Sequence, residues 1–198
     1  MLFGRLQREG AQLRLLRITL VSWCVVLASA GVAARAHANA RTDPSAGPHG
    51  FDFEFGSWRV HHRVKRASDG GWNEFDGTCT DRSLMDGSAN VEEHRFDKPV
   101  GVSWGVAMRT FDPKSATWAI WWIDGRDPHG ALDPPVKGRF ENGVGTFYSD
   151  GVIGGKPVRT RFVWSEITRD SAHWEQAYSY DAGKSWDTNW IMEFRRVQ

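Results

Sequence analysis

The stretch Gly56-Ser-Trp-Arg-Val-His-His-Arg-Val-Lys65 decides the fold. Trp58, Val60, His62 and Val64 fall on one side of a period-two alternation; Arg59, His61, Arg63 and Lys65 fall on the other. Successive side chains of a strand point to opposite faces, so the pattern predicts a strand with one buried and one solvated face. The reading extends along the chain. Asp69-Gly70-Gly71 turns it, Trp72 to Asp81 forms a second strand, and Asn90 to Phe96 forms a third that closes at Asp97-Lys98-Pro99. Val102, Trp104, Val106 and Met108 define a fourth strand ending at Asp112-Pro113, and Trp118, Ile120 and Trp122 a fifth ending at Asp124-Gly125.

Beyond a longer loop from Gly125 to Pro135, the segments Val136 to Glu141 and Val144 to Tyr148 flank Asn142-Gly143. That dipeptide has the preferred chemistry of a two-residue hairpin turn. Val158, Thr160, Phe162 and Trp164 alternate in an eighth strand, and Trp174, Gln176, Tyr178 and Tyr180 in a ninth. Asp181-Ala182-Gly183-Lys184 turns into a tenth, with Trp190, Met192, Phe194 and Arg196 on one face. No segment carries a convincing helical period. About ten short strands joined by hairpin turns predict an all-β, antiparallel up-and-down barrel, because closure removes exposed edges. Barrels of about eight strands already hold a small ligand, so ten leave room for a lumen. The alternative is a two-sheet sandwich; it needs long crossover loops, and only Gly125–Pro135 clearly qualifies.

Residues 1–40 read differently. Arg5, Arg8, Arg14 and Arg17 precede a mostly apolar run from Ile18 to Ala34, followed by Ala36-His37-Ala38 and Ala38-Asn39-Ala40. This order is that of a secretory signal peptide cleaved after Ala38 or Ala40. A helix over that run spans about 25 Å, short of a bilayer core of about 30 Å. The expected product is periplasmic or secreted, with no membrane association after cleavage. Residues 41–50 read as a flexible linker and 51–198 as the barrel domain.

The full chain of 198 residues carries 25 basic and 24 acidic side chains. Loss of the leader removes five Arg and one Glu, leaving 20 basic and 23 acidic residues. This balance gives no footprint for nucleic acid. Of the two cysteines only Cys79 remains after cleavage, which excludes an internal disulfide and any multi-cysteine metal site. Cys79 is expected to be buried, with no basic partner evident nearby in sequence to activate it. No nucleophile elbow, phosphate loop or dinucleotide fingerprint is present. The domain keeps 23 of the 25 aromatic residues, enough for a barrel wall and core.

Gly56-x-Trp58 at the first strand, with Arg195-Arg196 closing the last, resembles the lipocalin and calycin pattern, in which an arginine packs over the tryptophan at the closed end. Other segments resemble a bacterial group, domain of unknown function 1579, thought to be lipocalin-like and related to nitrobindins. They are Glu74-Phe-Asp-Gly-Thr-Cys79, Phe111-Asp-Pro113, Trp118-Ala-Ile-Trp-Trp122, Leu132-Asp-Pro-Pro-Val-Lys-Gly-Arg-Phe140, Gly143-Val-Gly-Thr-Phe147, Trp174-Glu-Gln-Ala-Tyr-Ser179 and Asn189-Trp190. The resemblance spans Phe51 to Arg196. It implies a calycin-type barrel and no particular reaction. The nitrobindin side of it implies a haem held by one late histidine, for which His173 is the candidate; by strand phase His173 sits opposite Trp174, Gln176 and Tyr178 and points away from an aromatic lumen.

The ligand expected for the lumen is a small apolar or amphiphilic molecule. Trp104, Trp121, Trp122, Trp164 and Tyr178 are candidate walls, although strand phase allows only one of Trp121 and Trp122 inside. Arg109, Arg139 or Arg161 is the candidate anchor for a carboxylate or phosphate head group. Adjacent His61 and His62 point to opposite faces and cannot chelate together. No metal or other cofactor and no catalytic residue is assigned. An isomerase or hydrolase using the same lumen, a haem protein and a ligand-free structural barrel are the alternatives.

Overall fold

The computed structural model describes residues 46–198; the expected signal peptide and the start of the linker lie outside the described residues. Ten strands follow one another: β1 (Gly56–Lys65), β2 (Trp72–Leu84), β3 (Ala89–Lys98), β4 (Gly101–Asp112), β5 (Thr117–Asp124), β6 (Val136–Glu141), β7 (Val144–Ile153), β8 (Lys156–Ser165), β9 (Ser171–Ser179) and β10 (Asp187–Arg196). Each pairs antiparallel with its sequence neighbours, and β1 pairs with β10 from Trp58↔Arg196 to Val64↔Trp190, closing an up-and-down barrel. The expected meander is therefore the architecture, and no Greek-key crossing occurs among the described residues. The Asn142-Gly143 turn has positive φ at both positions, 54° and 78°, as a two-residue hairpin of matching twist requires.

One end of the barrel is sealed. Two short 3-10 turns, Gly47–His49 and Asp52–Glu54, lead Phe51 into the core, where its ring lies 5.0 Å from Trp118, 4.9 Å from Phe140 and 5.7 Å from Phe147. Edge and offset contacts of this kind contribute about 0.5–1.5 kcal/mol each beyond area burial. Trp118 Nε1 donates to the Gly47 carbonyl at 3.0 Å, so the last part of the expected linker rests on the barrel floor. The Arg196 guanidinium lies 4.0 Å over the Trp58 ring and donates to the carbonyls of Phe53 and Phe55 at 2.5 and 2.7 Å. The tryptophan that opens β1 and the arginine that ends β10 thus lock the closing seam and the plug together.

The other end is looser. β5 and β6 pair only from Trp118↔Gly138 to Ile120↔Val136, because the Gly125–Pro135 loop leaves the sheet between them. This short ladder marks one side of the mouth.

Candidate functional site

Inside the barrel, a cavity of about 440 Å³ runs from the mouth, at Arg126, Asp133 and Ile153, down to Glu92, His94, Arg109 and Trp164. Its apolar wall comes from one inward face on each of several strands: Ile120 and Trp122 on β5, Val158, Phe162 and Trp164 on β8, Trp174 on β9, and Trp190 and Met192 on β10. Gln176 and Tyr178 interrupt this wall; Gln176 Nε2 donates to the Tyr178 hydroxyl at 3.1 Å, and burial raises the phenol's pKa.

Trp122, Trp164, Tyr178 and Arg109, all expected at the lumen, line it. Four other candidates do not. Trp104 is 48% exposed and lies outside, next to the inward-facing Gly105. The inward phase of β4 is Gly105, Ala107 and Arg109, and a Cβ at Gly105 would fall 2.1 Å from Trp122 Cζ2. The Trp122 indole takes the space over β4, so the larger face, Val102, Trp104 and Met108, turns outward. Trp121 alternates with Ile120 and Trp122 and is outward for the same reason. Arg139 stands outside β6 between buried Val136 and Phe140, 4.0 Å from Glu141. Arg161 lies on the outer face of β8, stacked at 4.4 Å on Trp186 and donating to Glu175 at 3.4 Å. His173 also faces outward, with Nδ1 2.7 Å from Glu193, so it cannot reach a haem in the lumen.

Arg109 is not a free anchor either. Its guanidinium sits 4.6 Å over the Phe51 ring and 2.8 Å from Glu54 Oε2, contacts Glu92 Oε2, donates to Asn90 Oδ1 at 3.2 Å and lies 3.8 Å from Asp81. Three buried carboxyls thus surround one cation, and burying a charge disfavours its ionised form. Burial pushes Glu54 up to about 8, with Arg109 opposing and Asp81 reinforcing the shift. Burial likewise raises Asp81 to about 6, again against Arg109. The floor is therefore acidic and already holds its arginine.

Around it stand further buried polar groups that sequence reasoning did not place. Burial drops His94 to about 3 and His62 to about 2, so both imidazoles are neutral near pH 7. His62 Nδ1 accepts from Trp190 Nε1 at 3.3 Å while its ring stacks on Phe75 at 4.9 Å. Cys79 is buried as expected; its Sγ donates to Glu92 Oε1 at 3.1 Å, and desolvation holds the thiol well above its usual pKa. His94 stands opposite Cys79 across the β2–β3 ladder. The available signal was the strand period: Cys79 and Asp81 alternate on β2, and Glu92 and His94 alternate in phase with Phe96 on β3.

No family model and no curated protein matches the chain. Among solved structures it is similar to the S-type phycobiliprotein lyase CPES of Guillardia theta, with 10% identity, a TM-score of 0.52, and coverage of 76% of this chain and 92% of that one. It is also similar to a de novo designed fluorescence-activating β-barrel, with 14% identity, a TM-score of 0.40, and coverage of 74% and 95%. The likeness to the lyase is one of fold: the chain is a closed antiparallel β-barrel of the lipocalin-like kind.

Proposed function

We propose that the barrel binds one small amphiphilic molecule, with its apolar body against the aromatic wall and its head group at the acidic floor. The observation that carries this reading is the cavity of about 440 Å³ bounded by Trp122, Trp164, Trp174 and Trp190 on one side and by Glu92, His94 and Arg109 below. Ligand pockets of about 300–1,000 Å³ with apolar walls and a few convergent polar groups are the usual form of small-molecule sites. The floor favours a cationic or hydrogen-bond-donating head over a carboxylate, because Arg109 is already committed to Glu54 and Glu92 and the carboxyls around it offer acceptors to a donor.

The four lining tryptophans make intrinsic fluorescence the direct readout. The full chain is titrated with a long-chain alkylamine, a fatty acid of equal length, haem and aromatic metabolites. A saturable change with the alkylamine, at lower concentration than with the fatty acid, is expected. A flat response across the panel overturns the binding reading; tighter binding of the fatty acid overturns the head-group assignment.

A further inference from the structure

β2 and β3 bring four chemistry-bearing side chains to one inward patch. Their register pairs Cys79 with His94 and Asp81 with Glu92. Residues two apart on a strand share a face, so the two pairs form a quadrilateral on the inner wall. The sulfur of Cys79, a carboxylate oxygen of Glu92 and an imidazole nitrogen of His94 all lie within 4.8 Å of one another. All three residues are at most 2% exposed. We infer that Cys79, Glu92 and His94 form a binding site for one zinc-class transition-metal ion, with its remaining coordination position facing the lumen.

Three independent observations support this. The donor set is thiolate, imidazole and carboxylate, which suits zinc and its surrogates and not calcium or magnesium. Three carboxyls share one guanidinium at this floor, so once ionised they exceed what Arg109 balances, and a divalent cation would offset the remainder. His94 Nε2 contacts Glu92 Oε1, the same oxygen that accepts from Cys79 Sγ, so all three donors already converge on one point while the imidazole ring stacks on Phe96 at 5.4 Å. Metal–ligand bonds of about 2.0–2.3 Å place the donors of a tetrahedral site about 3–4 Å apart. Cys79 Sγ and Glu92 Oε1 already stand 3.1 Å apart. Glu92 and His94 line the cavity while Cys79 sits behind them, so the fourth position opens toward the ligand space. On binding, the Cys79 thiol loses its proton to solvent and the thiolate bonds the metal, so uptake releases about one proton per ion.

This inference stands on the β2–β3 register and not on the organic ligand proposed above, and its test contains no such ligand. The full chain carrying Cys24→Ser, stripped of metal by chelator, is titrated with Co²⁺ and followed by absorbance. One equivalent with a thiolate-to-cobalt charge-transfer band, displaced by Zn²⁺, is expected. Because Cys79 is then the single thiol, the absence of that band at saturating Co²⁺ overturns the site even without further variants. Adding Cys79→Ser or His94→Gln should remove the band and weaken uptake at least tenfold; the outer-face change His61→Gln should leave both unchanged. Stoichiometric uptake that survives Cys79→Ser and is lost with His61→Gln instead assigns the ion to the exposed His61, Glu74 and Asp76 group and also overturns the proposal.

Discussion

The two halves of this barrel wall differ in what they bury beside apolar side chains: among the described residues, the buried ionisable groups on strands all lie in β1 to β4. From β5 to β10 the inward side chains are almost all apolar, including Trp118, Trp122, Phe140, Phe147, Trp164, Trp174 and Phe194. From β1 to β4 the inward positions carry His62, Asp81, Asn90, Glu92, His94 and Arg109, every one nearly inaccessible to solvent. The first half is held by non-directional burial, about 1.5–3 kcal/mol for each fully buried large apolar side chain. The second half depends on directed pairing, since each group is costly to bury unless a partner meets it. The difference teaches where specificity can reside: on the proposed function, the aromatic half would supply affinity for a body of suitable size, while the polar half would select the head group.

The sharpest way to break this contrast is to remove the one cation of the polar half. Arg109→Met leaves Glu54, Asp81 and Glu92 facing one another, and a loss of about 3–5 kcal/mol is expected in denaturant unfolding. Adding Glu54→Gln and Glu92→Gln to that variant should recover at least half of the loss, because neutral amides then replace the carboxyls that the guanidinium had faced. A loss below about 1 kcal/mol for Arg109→Met would mean the acidic half does not lean on this residue.

A smaller effect is expected where the two halves touch. Gly105 on β4 lies beneath Trp122 on β5, and an added Cβ would meet the indole at 2.1 and 2.3 Å. Gly105→Ala should displace Trp122 toward the lumen, cost about 1–3 kcal/mol in thermal unfolding, and shift the tryptophan emission. Unchanged stability and emission would show that the indole is not seated over β4.

The smallest effect is expected outside. Arg139→Ala should change stability by less than about 0.5 kcal/mol and leave the ligand titration as it was, since its side chain is solvated and its pair with Glu141 is 4.0 Å long. A weakened ligand response would reverse the assignment of inner and outer faces on β6.

Particular residues show how far the sequence reached. Val158, Phe162 and Trp164 on β8 and Trp190, Met192 and Phe194 on β10 could be read directly, because one face is apolar and the other is not. The same period misled on β4, where both faces offered something to bury and the apolar one, Val102, Trp104 and Met108, turned out to be exposed. The polar cluster was harder still. Asp81, Glu92 and His94 follow the inward phase, but charged residues in a strand ordinarily mark its solvated face, and nothing local says that a partner lies across the ladder. Glu54 lay just before the first strand, in Phe51-Asp-Phe-Glu-Phe55, whose strand-like alternation marks Glu54 as solvated, and it enters the site because a 3-10 turn carries it with Phe51 under the barrel.

By itself the sequence determined the number of strands, their turns and their closure into a barrel. These follow from side-chain alternation and from turn residues such as Asn142-Gly143, which act over a few neighbouring positions. Only the tertiary structure decided which face of β4 and β5 is inside and which polar residues meet at the floor. A period of two offers two equivalent faces, and the choice between them rests on volume and charge supplied by distant strands: the Trp122 ring over Gly105, and the Arg109 guanidinium among Glu54, Asp81 and Glu92.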